Sequence, residues 1–458
     1  MLSREENELI TRVGPGTLMG GLMRQYWLPA LLSSELPTAD SDPVRVLLLG
    51  EKLIAFRDTN GQIGLLDQHC PHRGASLYLG RNEESGLRCV YHGWKFDTSG
   101  QCIDMPNPRS AALRGAREPA ESDFRTKVKA TAYPTHKRNG VVWAYLGPRA
   151  TPPPLRSLEG NMLPEGTWSA TAVQRECNWL QALEGDIDTS HFSFLHAGSL
   201  QASNQPEGTF SYYMLSDRSP RYSLLDTDYG TMYGAYRDAD DDRRYWRIAQ
   251  FLFPCYTMPP QGVLGHKVTV RAWVPMDDEH TMFFMMGPAF RRPPSSSNGA
   301  PGASTGPSPG PMGRFLPQTS DWFGRFRLSA NGSNDYQIDR AKQRRNSEPE
   351  DFTGITGIHL QDQAITESMG EIYDRTKEHL GSSDTMVIRV RRRLLAAARA
   401  LADSGEVPPA VDTPDVYGAR AGGVFLPKDA DWLTETEDLR RGFVHHPGLD
   451  LSVTGPLV

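Results

Sequence analysis

Two groups of side chains in this chain have the types and spacing of metal ligands. The first is Cys70-Pro-His72, then sixteen residues, then Cys89-Val-Tyr-His92. Each half is short enough to be a tight loop presenting one thiolate and one imidazole. Such a set serves zinc or an iron–sulfur centre, and spacing by itself leaves both open. The second group is Asp188, His191 and His196. Two neutral imidazoles with one carboxylate leave positions open on a ferrous ion, where O2 can bind beside a substrate. On a helix, residues 188 and 191 share a face, and 196 falls a turn further on, where the helix can end and swing its ring inward. Glu184 and Asp186 are alternative carboxylates on neighbouring faces. Cys102, Cys177 and Cys255 have no such context and read as small apolar packing residues.

These groups need elements to hold them. The first third is β-rich: Val44 to Leu49 and Lys52 to Phe56 flank Gly50-Glu51, and Asn60-Gly61 turns the chain into Gln62 to Asp67. A further strand run, Gly140 to Gly147, is closed by Pro148, and Thr151-Pro-Pro-Pro154 marks a domain boundary. Beyond it, Cys177 to Leu195 repeats apolar residues at helical spacing and predicts a helix, with a possible break at Gly185. Tyr245 to Tyr256 and His266 to Val274 have the aromatic, alternating character of an antiparallel sheet. Between Arg291 and Gly313, sixteen of twenty-three residues are Pro, Gly or Ser, which predicts a flexible loop. Helices are expected near Gln361 to His379 and Asp384 to Ala402, the latter stopping at Gly405. Arg389, Arg391, Arg392 and Arg393 lie on it as a solvated face or as a docking patch for an acidic electron donor. The fold class is therefore α+β: an N-terminal all-β domain, then a domain with an antiparallel sheet flanked by helices.

The 458 residues suffice for two large domains or three small ones. Lys plus Arg number 49 against 55 Asp plus Glu, a formal balance of −6, which argues against binding nucleic acid or an anionic membrane. No apolar run reaches the ~18 residues that span a bilayer. The N-terminus lacks the basic-then-apolar order of a signal peptide, and five cysteines in so long a chain do not make a disulfide framework. The expected location is the cytoplasm.

The wording around the first group, His69-Cys-Pro-His-Arg-Gly-Ala75 and Cys89-Val-Tyr-His-Gly-Trp-Lys-Phe-Asp97, resembles the Rieske [2Fe-2S] loops of ring-hydroxylating oxygenases. That resemblance implies Cys70 and Cys89 on one iron and His72 and His92 on the other, shielded by Trp94 and Tyr91. Asn178 to His196 is similar to the catalytic signature of the same oxygenases. It implies His191 and His196 as ligands of a mononuclear Fe(II), and Asp188 as the bridge from an iron-ligating histidine to the Rieske histidine of a neighbouring subunit. The third ligand it implies is Asp362, with Glu367 as second choice. The implied organisation is residues 1–45 packing with the catalytic domain, 46–150 as the Rieske domain, and 151–458 as the catalytic domain with 291–313 inserted. Further wording, such as Val274 to His280 and Glu367 to Gly370, resembles the phthalate dioxygenase branch of the α subunits. That branch implies a homotrimer or stacked hexamer, a separate NAD(P)H-dependent flavin/iron–sulfur reductase, and an aromatic acid and O2 as substrates. A carboxylate substrate calls for a guanidinium. Arg247, charged among apolar neighbours in a strand, is the first candidate, ahead of Arg218, Arg221 and Arg244. Phthalate-like dihydroxylation and O-demethylation with release of formaldehyde are the two reactions implied. A Rieske electron carrier without oxygenation is the reading of another class.

Overall fold

The computed structural model describes residues 1–106, 121–198, 202–206, 208–266, 268–289, 312–348 and 351–444. The apolar runs of the first third form the expected meander: Val44–Leu48, Glu51–Arg57 and Ile63–Asp67 pair antiparallel in chain order. A four-stranded antiparallel sheet follows, built from Arg81–Glu83, Gly86–Arg88, Lys95–Phe96 and Cys102–Asp104. Ile54, Phe56, Leu66, Leu77, Leu87 and Phe96 make one small core from the two sheets, and Cys70 and Cys89 belong to it.

A third sheet places Val141–Tyr145 between Trp27–Leu32 and Thr135–Arg138. Strand Trp27–Leu32 is therefore hydrogen-bonded to the Rieske-like part, and position 45/46 falls inside strand Val44–Leu48. Strand Trp27–Leu32 itself and the residues on both sides of it also contact the second domain: the Trp27 carbonyl accepts from the Tyr256 hydroxyl (3.2 Å), and Glu35 pairs with Arg325 (2.6 Å). Asn7 donates to the Tyr373 carbonyl at 3.3 Å, and Glu6 pairs with Arg399 at 3.4 Å.

The second domain is organised by an eight-stranded antiparallel sheet. Its order is Trp168–Arg175, Thr281–Pro288, Val270–Pro275, Tyr256–Met258, Arg243–Leu252, Gly230–Asp238 and Arg221–Thr227, with Gly422–Pro427 also pairing to Arg243–Leu252. Opposed residues share a face, as do residues two apart. Phe283 opposes Trp273, Arg271 opposes Thr257, and Thr257 opposes Phe251, so these and Arg247 line one face. Helix Trp179–Ile187 lies on that face: Asp186 bonds both Thr257 and Arg271.

Three sequence expectations change here. The helix predicted over Cys177 to Leu195 runs unbroken through Gly185 and stops at Ile187. A Cβ built on Gly185 would lie 3.4 Å from Thr366 Cγ2, an ordinary contact with helix Ile358–Ser368. The helix expected to reach His379 ends at Ser368, because Gly370 turns the chain at φ 89°. Arg391 is neither solvated nor a docking group: it is buried, paired with Glu184 and Glu378, while Arg389 pairs with Asp226. Helix Thr385–Ser404 does stop at Gly405, which takes the left-handed conformation. Of the stretch 291–313, all but Met312 and Gly313 lies outside the described residues.

Candidate active site

The two Cys/His loops are built alike. Cys70 N–H donates to the Ala75 carbonyl (2.8 Å) and Gly74 N–H to the Cys70 carbonyl (2.9 Å); Cys89 N–H donates to Trp94 (2.8 Å) and Gly93 N–H to Cys89 (2.9 Å). Each loop closes on a glycine four residues after its cysteine, at φ 74° and 80°, a conformation that a Cβ would strain. The two thiols are buried and in contact. The His72 and His92 rings lie 4.5 Å apart, His72 stacked on Trp94 at 4.2 Å and His92 against Tyr91 at 3.8 Å. Burial, opposed by a backbone bond and reinforced by the Cys89 sulfur, pushes the Cys70 thiol up to about 11, so a thiolate there needs a metal's charge. Among the described residues, the only His, Cys, Asp or Glu group with all ligand atoms within 4.8 Å of one another is the second site. The two cysteines and two histidines therefore do not surround one ion as a tetrahedral zinc site would; they fit the wider span of a two-iron cluster.

The second site begins where helix Trp179–Ile187 ends. Asn178 caps that helix through the Leu180 N–H (3.1 Å), and its amide donates to the carbonyls of Thr11 (3.0 Å) and Asp278 (2.7 Å). Gln181 ties the helix to the next one, donating to the carbonyls of Thr366 and Gly370 and accepting from Tyr373 N–H. Glu184 accepts from the buried Arg375 and Arg391, and Asp186 is held by Arg271. Neither alternative carboxylate is free for a metal.

Asp188 takes an extended conformation and accepts from the N–H groups of Ser190 (2.6 Å) and His191 (3.2 Å). It thus ends one helix and caps the next turn, so 188 and 191 do not share a helical face. That turn, Phe192–His196, is a π-helix. In an α-helix, residues five apart point about 140° away from each other; the wider π-turn brings His191 and His196 onto one side. Their Nε2 atoms lie 3.2 Å apart, and Asp362 Oδ1 lies 3.0 Å from His196 Nε2 and 3.6 Å from His191 Nε2. Neighbouring donors around an ion with bonds of about 2.1 Å sit about 3 Å apart, so the three fit one metal ion. Burial opposes the Asp362 charge, yet the hydrogen bond from His196 and the nearby imidazoles hold its carboxyl well below the usual range. Burial likewise opposes the charge of Asp188, and the bonds from His191 and Ser190 win. Asp188 Oδ2 lies 3.4 Å from His191 Nδ1. Glu367 is elsewhere, accepting from Glu176 N–H, Tyr336 and Gln363.

Arg247 is buried against this region. It donates to Met214 Sδ (3.3 Å) and the Pro260 carbonyl (3.3 Å) and lies over Phe210 at 4.3 Å and Phe192 at 5.3 Å. It makes no ion pair among the described residues, and its Nε is unpartnered. Burial pulls its pKa below the ordinary guanidinium value. The weaker candidates are engaged: Arg218 donates to the Ser193 and Gly198 carbonyls, Arg221 pairs with Asp238, and Arg244 donates to the Lys428 carbonyl.

The Rieske [2Fe-2S] domain family matches residues 26–122, and the family described as LigXa C-terminal domain like matches residues 144–440. The chain is 46% identical over 450 residues to the 3-chlorobenzoate-3,4-dioxygenase oxygenase subunit of Comamonas testosteroni, covering 97% of this chain and 100% of that one. The chain belongs to the Rieske non-haem iron oxygenases. It is also 36% identical over 409 residues to the phthalate 4,5-dioxygenase oxygenase subunit of Pseudomonas putida (87% of each chain). To the 5,5'-dehydrodivanillate O-demethylase oxygenase subunit of a Sphingobium species it is 32% identical over 415 residues (90% and 84%). Dicamba monooxygenase bound to dicamba shares the fold, with a TM-score of 0.53 at 16% identity over 83% of this chain and 98% of that one. As an α subunit of these oxygenases, the protein uses a Rieske [2Fe-2S] cluster and a mononuclear iron, draws electrons from a separate donor, and consumes O2. Among the described residues no helix is long and apolar enough to cross a membrane.

Gln361 had no role in the sequence reading, yet its Oε1 lies 2.7 Å from His196 Nδ1. Nothing in the sequence marks it except its place beside Asp362.

Proposed function

We propose that the protein is the oxygenase component that inserts O2-derived oxygen into an aromatic carboxylate, with ring dihydroxylation as the reaction. The observation that carries this is Arg247: a buried guanidinium without a carboxylate, flanked by Phe192, Phe210 and Met214, two of them aromatic, one residue from His191 in sequence at its nearest. An uncompensated buried charge is costly, and an anionic ligand relieves it. The neighbouring rings offer an apolar surface for an arene. Chlorobenzoate and phthalate dioxygenase subunits among the relatives support the same class.

In this reading Cys70, Cys89, His72 and His92 hold the cluster, and His191, His196 and Asp362 hold the iron. When bound, the two groups supply electrons one at a time and a site for O2. The chain's own part is placement. Arg247 fixes the carboxylate, Phe192 and Phe210 pack the ring, and Asp188 orients His191 through Nδ1. Asp188 also reaches the wall of a cavity of about 440 Å³ beside Ile365 and Met369, both more than 40% exposed. Val90 and Tyr91, on the Cys89 loop, are more than half exposed. Two exposed apolar patches, one at each metal site, support a homotrimer in which Asp188 links one subunit's iron site to its neighbour's cluster.

The test combines the purified protein with an NADH-driven reductase and a panel of chlorobenzoates, phthalates and methoxybenzoates. Expected is O2 uptake matched by a cis-dihydrodiol from a carboxylate substrate. Equimolar formaldehyde from a methoxylated acid as the sole product assigns O-demethylation instead, the reaction of the Sphingobium relative. Turnover confined to uncharged arenes overturns the carboxylate reading.

A further inference from the structure

The two iron-site histidines are backed differently. His191 presents Nδ1 to a carboxylate, Asp188. His196 presents Nδ1 to a neutral amide, Gln361 Oε1, at 2.7 Å. The orientation of that amide is fixed by what lies behind it. Gln361 Nε2 is 2.8 Å from the Ile355 carbonyl and 3.1 Å from Thr353 Oγ1. A backbone carbonyl only accepts, so the nitrogen must face Ile355 and the oxygen must face His196. His196 Nδ1 must then carry the proton. That leaves Nε2, which faces His191 Nε2 and Asp362 Oδ1, as the nitrogen whose lone pair a bound metal would take. Both Gln361 and His196 are buried, so water cannot replace the amide.

We infer that Gln361 is a positioning residue: locked by Ile355 and Thr353, it holds His196 in the Nδ1–H tautomer and turns the Nε2 lone pair onto the shared metal position. The amide does this without adding charge, leaving Asp188 and Asp362 as the carboxylates of the site. The signal starts at a backbone carbonyl on the segment before helix Ile358–Ser368 and ends at the metal. Histidine ligands generally need such a partner on their other nitrogen.

The inference rests on the reading that His191, His196 and Asp362 hold iron. The experiment separates the two. Protein with an intact cluster is stripped of mononuclear iron, and Fe(II) is titrated back anaerobically into wild type, Gln361→Leu, Gln361→Glu and His191→Ala. The Rieske spectrum of each variant reports the cluster domain, and circular dichroism with urea unfolding reports that the catalytic domain has folded. Gln361→Leu removes the acceptor, and Fe(II) affinity is expected to fall about 10- to 100-fold. Gln361→Glu keeps an oxygen toward His196 but loses the amide N–H groups toward Ile355 and Thr353. It is expected to bind Fe(II) more weakly than wild type but more tightly than Gln361→Leu, a ranking that a merely structural role for the amide would not produce. Affinity within twofold of wild type in Gln361→Leu, or equal losses in the Leu and Glu variants, overturns the inference. Fe(II) binding unchanged in His191→Ala overturns the iron-site reading instead.

Discussion

Replacing Arg247 by methionine should separate binding from stability. Most buried arginines here are compensated: Arg391 is held by Glu184 and Glu378, and Arg420 by Glu159. Removing one partner of such a pair strands a buried charge and costs about 3–5 kcal/mol. Arg247 has no acid to strand. Its loss forfeits two contacts over aromatic rings and a carbonyl bond, together about 2 kcal/mol, and relieves a desolvated charge of similar size. The net change in unfolding free energy should lie within about 2 kcal/mol of zero. Binding of a carboxylate loses a charge-assisted pair worth about 1.5–3 kcal/mol, or more when both oxygens are engaged, a fall of about 10- to 150-fold in kcat/KM. Urea unfolding of Arg247→Met and Arg391→Met gives the first comparison, and kcat/KM with a benzoate and its methyl ester gives the second. The reasoning fails if Arg247→Met is as destabilised as Arg391→Met, or if acid and ester lose activity equally.

Other outcomes follow from the same geometry. Metal analysis should find about three irons and two acid-labile sulfides per chain, with His191→Ala losing one iron and keeping the reduced Rieske resonance; zinc without that resonance would contradict the cluster assignment. Asn178→Ala removes a helix cap and two buried tethers, and should lower stability by about 2–4 kcal/mol in urea melts. Burial opposes the charge of His280, but Asp277 at 3.0 Å raises its pKa above the ordinary value. The stability this lends is complete below a pH of about 6.5 and lost as pH rises through the raised folded value. His280→Gln should therefore flatten unfolding free energy between pH 6 and 8, a change absent if the pair contributes nothing.

The sequence by itself determined which side chains could hold metal, and the wording of the loops, not their spacing, pointed to an iron–sulfur centre rather than zinc. Cys70, His72, Cys89 and His92 sit in loops whose geometry is local: a glycine four residues after each cysteine closes each turn, so residue types and spacing suffice. The meander of the first third, the helix stop at Gly405 and the packing role of Cys102, Cys177 and Cys255 were legible for the same reason. Between His191 and His196 the spacing was visible but the π-turn was not, since Asp188 ends the helix with its side chain rather than at the glycine the pattern suggested. Asp362 reaches the histidines from more than 160 residues away, and only the packing of helix Ile358–Ser368 against helix Trp179–Ile187, through Gln181, closes that distance. Which charges are neutralised was likewise undecided by pattern. Arg391 read as part of a solvated face or docking patch and is a buried pair; Arg247 stood out as a charge among apolar strand neighbours, but that no acid pairs with it only the packing shows. Local spacing fixes which atoms can bind a metal, because neighbours in sequence are neighbours in space. The third candidate ligand, the amide behind His196 and the guanidinium without an ion pair depend on long-range contacts, decided only when the sheet and helices pack.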